Sequence, residues 1–346
     1  MKKTFGFLFF IILILLGYVC WQIFGPTISA PSNTFFYISQ NDSYYDVLNN
    51  LKKENILARN YFFNKMAQRA KYSQNIKGGK YKIEDNSSVY SLLKMLKSGK
   101  QSPVKLVINK IRVKEDLASK ISKNFEIDSI TTINFLKNND SLAKYNLDTN
   151  TVLSAIIPNT YELLWNSSIK KIFSKLQTEQ EIFWNEKRKS KANKKDITQL
   201  QVYIIASIVE EETNKETDKP LIASVYINRL LRGDKLQADP TVKFAMKDFG
   251  LKRILYKHLT YPSAYNTYYV AGLPPGPICT PSSKTIDAVL DAPKTNYLFF
   301  VAKPEFNGYS NFAETYEQHQ IFAKQYQQAL NLYLQKKEKS TDTSER

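Results

Sequence analysis

The octet Ala206-Ser207-Ile208-Val209-Glu210-Glu211-Glu212-Thr213 places three adjacent carboxylates at the end of a mainly apolar run that begins at Leu200. From Ile197 to Glu212 apolar residues cover most of a helical circumference, which predicts a helix buried on nearly every side. Such a helix needs other elements packed around it, so it marks the centre of a domain. Three consecutive acids on a helix point three ways, about 100° apart. Glu210 falls with Tyr203, Ala206 and Ser207, Glu211 near Ile204 and Ile208, and Glu212 near Ile205 and Ile208. The wheel leaves open which of them faces a cleft. Burial disfavours a charged carboxylate, and the C-terminal end of a helix is the negative end of its dipole. Both effects raise the pKa of whichever acid is enclosed, and an acid that keeps its proton near neutral pH suits general acid chemistry. The competing reading is a core helix finished by a solvated acidic cap with structural ion pairs.

Outward from the octet, Ile222–Leu231 reads as a second helix, Tyr297–Ala302 as a buried strand and Phe322–Leu334 as a closing amphipathic helix, giving a domain over residues 197–334. Upstream, Phe35–Ile38 reads as a strand, followed by helices at Ser43–Asn55 and Ala58–Arg69. A Gly78-Gly79 turn leads into a strand ending at Ile83, then come a helix at Val89–Lys97 stopped by Gly99 and an alternating strand, Val104–Ile108. These make a small α/β unit over 34–108. Residues 109–196 read as a mainly helical intermediate region, interrupted by a loop or short strand at Ile156–Glu162. Residues 335–346 are charged and polar without periodicity and predict a disordered tail. The fold class expected is α+β.

The chain of 346 residues is 43% apolar and 13% aromatic, which predicts a packed core. Phe5–Phe24 carries no charge, and twenty helical residues span ~30 Å, the thickness of a bilayer core. Lys2 and Lys3 precede it, so residues 1–25 predict a cytoplasmic tip and a single-pass anchor in the inner membrane, with everything after the 26–33 linker outside, in the periplasm. Pro31 after Ile28-Ser29-Ala30 argues against a cleaved signal peptide. A formal charge of +17 would point to nucleic acid in a cytoplasmic protein. Outside the membrane the available anions are lipid headgroups and the acidic peptides of a cell wall. Only two cysteines, Cys20 and Cys279, and two histidines, His258 and His319, are present, which excludes a disulfide framework and argues against a metal centre. No cofactor is expected.

At the level of motifs, the octet resembles the A-S-I-[VI]-E-x-E-T signature of the endolytic murein transglycosylases, the MltG (YceG-like) family. Ala223-Ser224-Val225-Tyr226-Ile227-Asn228-Arg229-Leu230 is similar to the family's A-S-V-[FY]-x-N-R-L helix, and Leu236-Gln237-Ala238-Asp239-Pro240-Thr241-Val242 to its L-Q-[TAS]-D-P-T-V segment. Tyr265-Asn266-Thr267-Tyr268, Gly272-Leu273-Pro274-Pro275-Gly276-Pro277-Ile278 and Tyr297–Ala302 follow in the family's order. The small α/β unit resembles the LysM-like subdomain that precedes the family's catalytic region.

The resemblance implies cleavage of the β-1,4 bond between N-acetylmuramic acid and N-acetylglucosamine within peptidoglycan strands. It makes the first glutamate of the signature, Glu210, the catalytic group. That residue would protonate the leaving oxygen and then deprotonate the muramic acid O6, which closes on C1 to give a 1,6-anhydro end. Because the substrate supplies its own nucleophile, one carboxyl suffices, unlike the two-carboxylate scheme of ordinary glycosidases. Gln237, Asn266, Thr267, Tyr268, Glu212 and Tyr161 are the candidate substrate contacts. Asp239 is expected to cap the following helix, and an ion pair between Glu212 and Arg229 competes with substrate contact for Glu212. The sequence departs from the family at Asn109-Lys110-Ile111-Arg112, where an E-G pair is usual, and at Gly308-Tyr309-Ser310-Asn311-Phe312, which lacks a histidine, while His319 matches a later family histidine. The expected partners are glycan strands and the membrane through residues 5–24, with peptidoglycan synthases as neighbours and no nucleic acid. The rivals are a hydrolytic muramidase and a peptidoglycan-binding scaffold without catalysis.

Overall fold

The computed structural model describes the backbone of residues 2–30 and 34–344, and the side chains of residues 4–30 and 34–335. The chain forms two compact units. The first comprises the residues up to Leu106 together with Lys120–Ser129 and Glu162–Ile172. The second comprises Val107–Ser119, Ile130–Tyr161 and the chain from Phe173 onward. Residues 109–196 therefore contribute to both.

The first unit opens with α1 (Lys2–Phe24), the one helix among the described residues long and apolar enough to cross a membrane. Its side chains from Thr4 to Trp21 are all exposed. Each large apolar side chain left in water forgoes roughly 1.5–3 kcal/mol of burial. Then follow β1 (Phe35–Ile38), α2 (Tyr44–Lys53), α3 (Tyr61–Arg69), β2 (Gly79–Lys82) and α4 (Val89–Ser98). β1 and β2 pair antiparallel with Phe36 opposite Tyr81. Strand alternation turns Phe36, Ile38 and Tyr81 inward against Val47, Leu51, Phe63, Leu92 and Leu96. Ser43 and Asp46 close a capping box on α2, and Gly99 at φ +72° ends α4 in the left-handed conformation that glycine adopts without penalty.

The chain continues through β3 (Val104–Ile108), α5 (Lys114–Asn124), α6 (Ser129–Leu136), α7 (Asn139–Ala143), β4 (Asn159–Leu163), α8 (Ile169–Phe183) and α9 (Glu186–Asn193). The heart of the second unit is α10 (Gln199–Glu212), which packs against α11 (Lys219–Leu231), α12 (Asp239–Met246) and α14 (Ser283–Leu290), with α13 (Tyr256–Leu259) in the intervening loop. All eight residues from Val202 to Val209 are buried, as the apolar circumference predicts. α10 starts at Gln199 rather than Ile197 because Thr198 and Gln201 form a capping box. Tyr203 hides its ring in the core and donates to the carbonyls of Leu153 and Ile156 at 3.0 and 2.5 Å.

β5 (Phe299–Ala302) and β6 (Ser310–Ala313) form an antiparallel pair with Phe300 opposite Phe312. Among the described residues the sheets are three two-stranded ones, β1–β2, β3–β4 and β5–β6, and helices supply most of the rest. The fold class is α+β, as expected. β5 is shorter than the predicted Tyr297–Ala302 because the Tyr297 and Leu298 carbonyls accept from Asn228 and Arg229. α15 (Tyr316–Ser344) runs on through residues 336–344, whose composition predicts disorder. Gln327–Lys339 is rich in Gln, Leu and Lys, which are good helix formers, and holds no Gly or Pro to stop the helix.

Candidate active site

The three carboxylates at the end of α10 meet three different environments. Glu210 turns to α11 and α14. It accepts from the hydroxyls of Ser282, at 3.1 Å, and Thr285, and lies 3.6 Å from the Lys219 ammonium. Lys219 has only 6% of its side chain exposed and also donates to Glu216 and Thr285, each at 2.8 Å. Glu210 therefore belongs to a polar knot that ties three helices together.

Glu211 is gripped by Arg112 through two hydrogen bonds of 3.0 and 2.9 Å, with Lys110 at 3.0 Å. Burial pushes this carboxyl up, but the two cations outweigh it and hold its pKa below the ordinary glutamate range. Both cations come from the Asn109–Arg112 stretch where the sequence departs from the family pattern. Glu212 has no such cation. Burial pushes its pKa up to about 7; Asp239 adds to the rise, while a hydrogen bond from the Tyr226 hydroxyl, at 2.6 Å, and the charges of Lys243 and Arg229 oppose it.

Glu212 lines a polar cleft of about 290 Å³ with Arg229, Gln237, Asp239, Tyr268, Phe299, Phe300, Tyr316 and His319. Each wall is held by local structure. The Arg229 guanidinium donates to the carbonyls of Leu298 and Leu236 at 2.7 and 2.5 Å, so it clamps the approach to β5 onto the 236–239 turn. Gln237 sits at φ +50°, a left-handed turn, with its backbone N–H on the Thr267 carbonyl at 3.1 Å. Tyr268 donates to the Asp239 carboxylate at 2.7 Å. His319 stacks on Phe299 with ring centroids 5.3 Å apart, and its Nδ1 is buried without a hydrogen-bond partner. Burial, and then the Arg229 charge, lower its pKa, which favours the neutral imidazole.

Of the residues singled out in the sequence, the cleft brings together Glu212, Gln237 and Tyr268. Asn266 and Thr267 lie fully buried beneath it. The Asn266 amide donates to the carbonyls of Leu259 and Tyr261, and the Thr267 hydroxyl accepts from Ala238 N and pairs with Thr241. Their hydrogen-bonding capacity is spent on folding the loop. Tyr161 is buried, donates to the Ile157 carbonyl and does not line the cleft. Glu210 does not line it either. Asp239 is not the cap of α12: Ala238 holds that position without a side-chain cap, and Asp239 instead faces the cleft. Arg229 forms no ion pair with Glu212: its Nε and Nη1 donate to the Leu298 and Leu236 carbonyls, and its charge reaches Glu212 only at longer range. Tyr226, Phe299, Phe300 and Tyr316 were not singled out. Tyr226 carried one signal, a phenol hydroxyl within the mainly apolar run Ile222–Ile227.

A profile of the YceG-like family matches residues 36–325. An endolytic murein transglycosylase of Bacillus subtilis is 41% identical over 134 residues, which are 38% of this chain and 36% of that protein. One from Streptococcus pneumoniae is 24% identical over an alignment that covers 87% of this chain and 61% of its own length. The chain thus spans less than two thirds of the curated relatives it matches. A 2.6 Å crystal structure of a YceG-like protein from Listeria monocytogenes superposes with a TM-score of 0.52 at 25% identity, covering 84% of this chain and 99% of that one. With its motifs, its fold and a profile match across most of its length in agreement, the chain belongs to the YceG-like family.

Proposed function

We propose that the protein is a membrane-anchored endolytic lytic transglycosylase acting on peptidoglycan, with Glu212, rather than the Glu210 that the resemblance implies, as general acid and then base. The observation that carries the assignment is the place of Glu212 in the polar cleft beside Gln237 and Tyr268, where burial pushes its pKa up to about 7. A carboxyl with that pKa donates and recovers a proton near neutral pH. Glu211 is locked in an ion pair, and Glu210 has one carboxylate oxygen, Oε2, held by the Ser282 and Thr285 hydroxyls with the buried Lys219 3.6 Å away. In the proposed reaction Glu212 protonates the glycosidic oxygen, the C1–O4 bond breaks, and the carboxylate takes the proton of the muramic acid O6 as that oxygen bonds to C1. The products are a 1,6-anhydro end and a free 4-hydroxyl. The relatives' names support this substrate and reaction. α1 would hold the enzyme in the cytoplasmic membrane, with Lys2 and Lys3 inside and the cleft outside.

One observation favours a second reading. Asp239 shares the cleft, and a second carboxylate is what a hydrolase uses to activate water. Digestion of peptidoglycan followed by mass measurement separates the two. The expected products are one water lighter than reducing-end fragments; reducing ends alone would establish the hydrolase.

The pH profile gives a further expectation. Tyr226→Phe removes a hydrogen bond that stabilises the charged form of Glu212. Hydrogen bonds to charged groups contribute about 1.5–3 kcal/mol, and a pKa unit corresponds to ~1.4 kcal/mol. The alkaline limb of kcat/KM for glycan cleavage is expected to move up by roughly one pH unit or more. An unmoved limb would detach that limb from Glu212.

A further inference from the structure

We infer that the face of the first unit formed by the beginnings of α3 and α4 docks on anionic lipid headgroups, beside the point where α1 leaves the bilayer. The inference rests on α1 being the membrane anchor. Its basis is depth. The Arg59 guanidinium, just before α3, donates to the Tyr18 hydroxyl at 3.1 Å. Tyr18 precedes the end of α1 at Phe24 by six residues, ~9 Å along the axis. α3 and α4 both pack along α1, and the Phe24 ring meets Tyr90 at 5.4 Å. The layer between hydrocarbon and water is about 5–8 Å deep on each side of a bilayer. Elements that lie alongside the last turns of a spanning α1 enter that layer, and a long arginine can keep its charge there by reaching toward phosphate.

The chemistry of the face matches the depth. Asn55–Ile83 holds seven Lys and Arg and no Asp or Glu, and Asn86–Leu106 holds four lysines and no acid. Only Glu84 and Asp85, between the two segments, interrupt this acid-free stretch. Tyr61 is 62% exposed and Tyr90 43%. Lys65 stands 5.9 Å from the Tyr61 ring centre and Lys94 6.0 Å from that of Tyr90. Amphipathic aromatics paired with cations are the side chains favoured at a membrane–water boundary, and clustered cations select anionic lipid. Docking would fix the height and tilt of the first unit at the membrane, where a flexible tether would leave both free.

The test uses the full chain in nanodiscs of phosphatidylcholine, with or without about one third phosphatidylglycerol. Nitroxides are placed singly at Ala58→Cys, Leu13→Cys and Tyr256→Cys, with Cys20→Ala throughout, and their access to oxygen and to a water-soluble nickel chelate is measured. Residue 13 lies in α1, and Tyr256 is 90% exposed in the second unit. The expected result is a lipid-like ratio at 13, a water-like one at 256, and at 58 an oxygen-to-nickel ratio that rises several-fold with phosphatidylglycerol. Combined Arg59→Glu, Lys65→Glu and Lys94→Glu should cancel the rise. A ratio at 58 equal to that at 256 in both lipids, or one indifferent to lipid charge and to the charge reversals, overturns the docking surface while α1 still reads as inserted. Water access at residue 13 overturns the anchor itself, and the docking surface falls with it.

Discussion

Glu212→Gln is expected to lower the rate of glycan cleavage by at least the ~10²–10⁴-fold attributed to a positioned general acid, with glycan binding kept. The glutamine amide still fills the site and accepts from the Tyr226 hydroxyl, but it cannot give up a proton. The same variant should be more stable than the parent in alkaline solution. Glu212 has a folded-state pKa near 7 against an ordinary 4.5, so the folded chain holds this proton more tightly than the unfolded chain. That relative advantage is complete below pH 4.5, shrinks as pH rises and is gone above about 7, where burying the charge costs up to about 3 kcal/mol. Glutamine has no charge to bury. Melting of the two proteins should therefore coincide near pH 4 and separate by pH 8, with the inactive variant melting higher. Full cleavage by Glu212→Gln would remove it from the chemistry. Equal melting at pH 8 would show that the carboxyl is not held above its ordinary range.

Glu210→Gln is expected to do the opposite. It removes the charge that faces Lys219, an ammonium only 6% exposed whose other carboxylate, Glu216, is 58% exposed and so screened by water. Breaking a buried pair leaves an uncompensated charge and typically costs about 3–5 kcal/mol. Glutamine keeps an acceptor for Ser282 and Thr285, which places this variant near the lower end. A loss of about 3 kcal/mol corresponds to a melting temperature lower by roughly 6–12 °C in a domain of this size. Cleavage per folded molecule should remain within a few-fold of the parent. Lys219→Met in the same background should recover part of the stability, because it removes the stranded charge. A Glu210→Gln protein that melts like the parent yet cleaves nothing would return the catalytic role to Glu210.

The two substituted positions lie two residues apart, about 200° around the helix, and this marks the division between what sequence and structure each decide. The buried character of α10 was legible in the sequence because eight consecutive residues from Val202 to Val209 admit no solvent-facing stripe. The succession of strands and helices in and after the first unit was legible for a related reason: alternation in Val104–Ile108 and 3.6-residue spacing of Val47, Leu48 and Leu51 are properties of single elements. The motifs themselves were enough to identify the family. Which acid of the triplet lines the cleft was not legible. A helix wheel sends Glu210, Glu211 and Glu212 in three directions, but what stands in each direction comes from chain far away. Lys219 and Thr285 meet Glu210, Lys110 and Arg112 meet Glu211, and Tyr226, Gln237 and Tyr268 surround Glu212. The polar residues of the Tyr265–Tyr268 loop looked like sugar contacts because an amide and a hydroxyl can bind either sugar or backbone; only the packed loop showed Asn266 and Thr267 spent on backbone and on Thr241. Sequence determined the elements, the buried helix and the presence of an acid cluster, since those follow from local periodicity. Tertiary structure decided which acid holds its proton, since a pKa depends on burial and neighbouring charge, and both are set by residues distant in the chain.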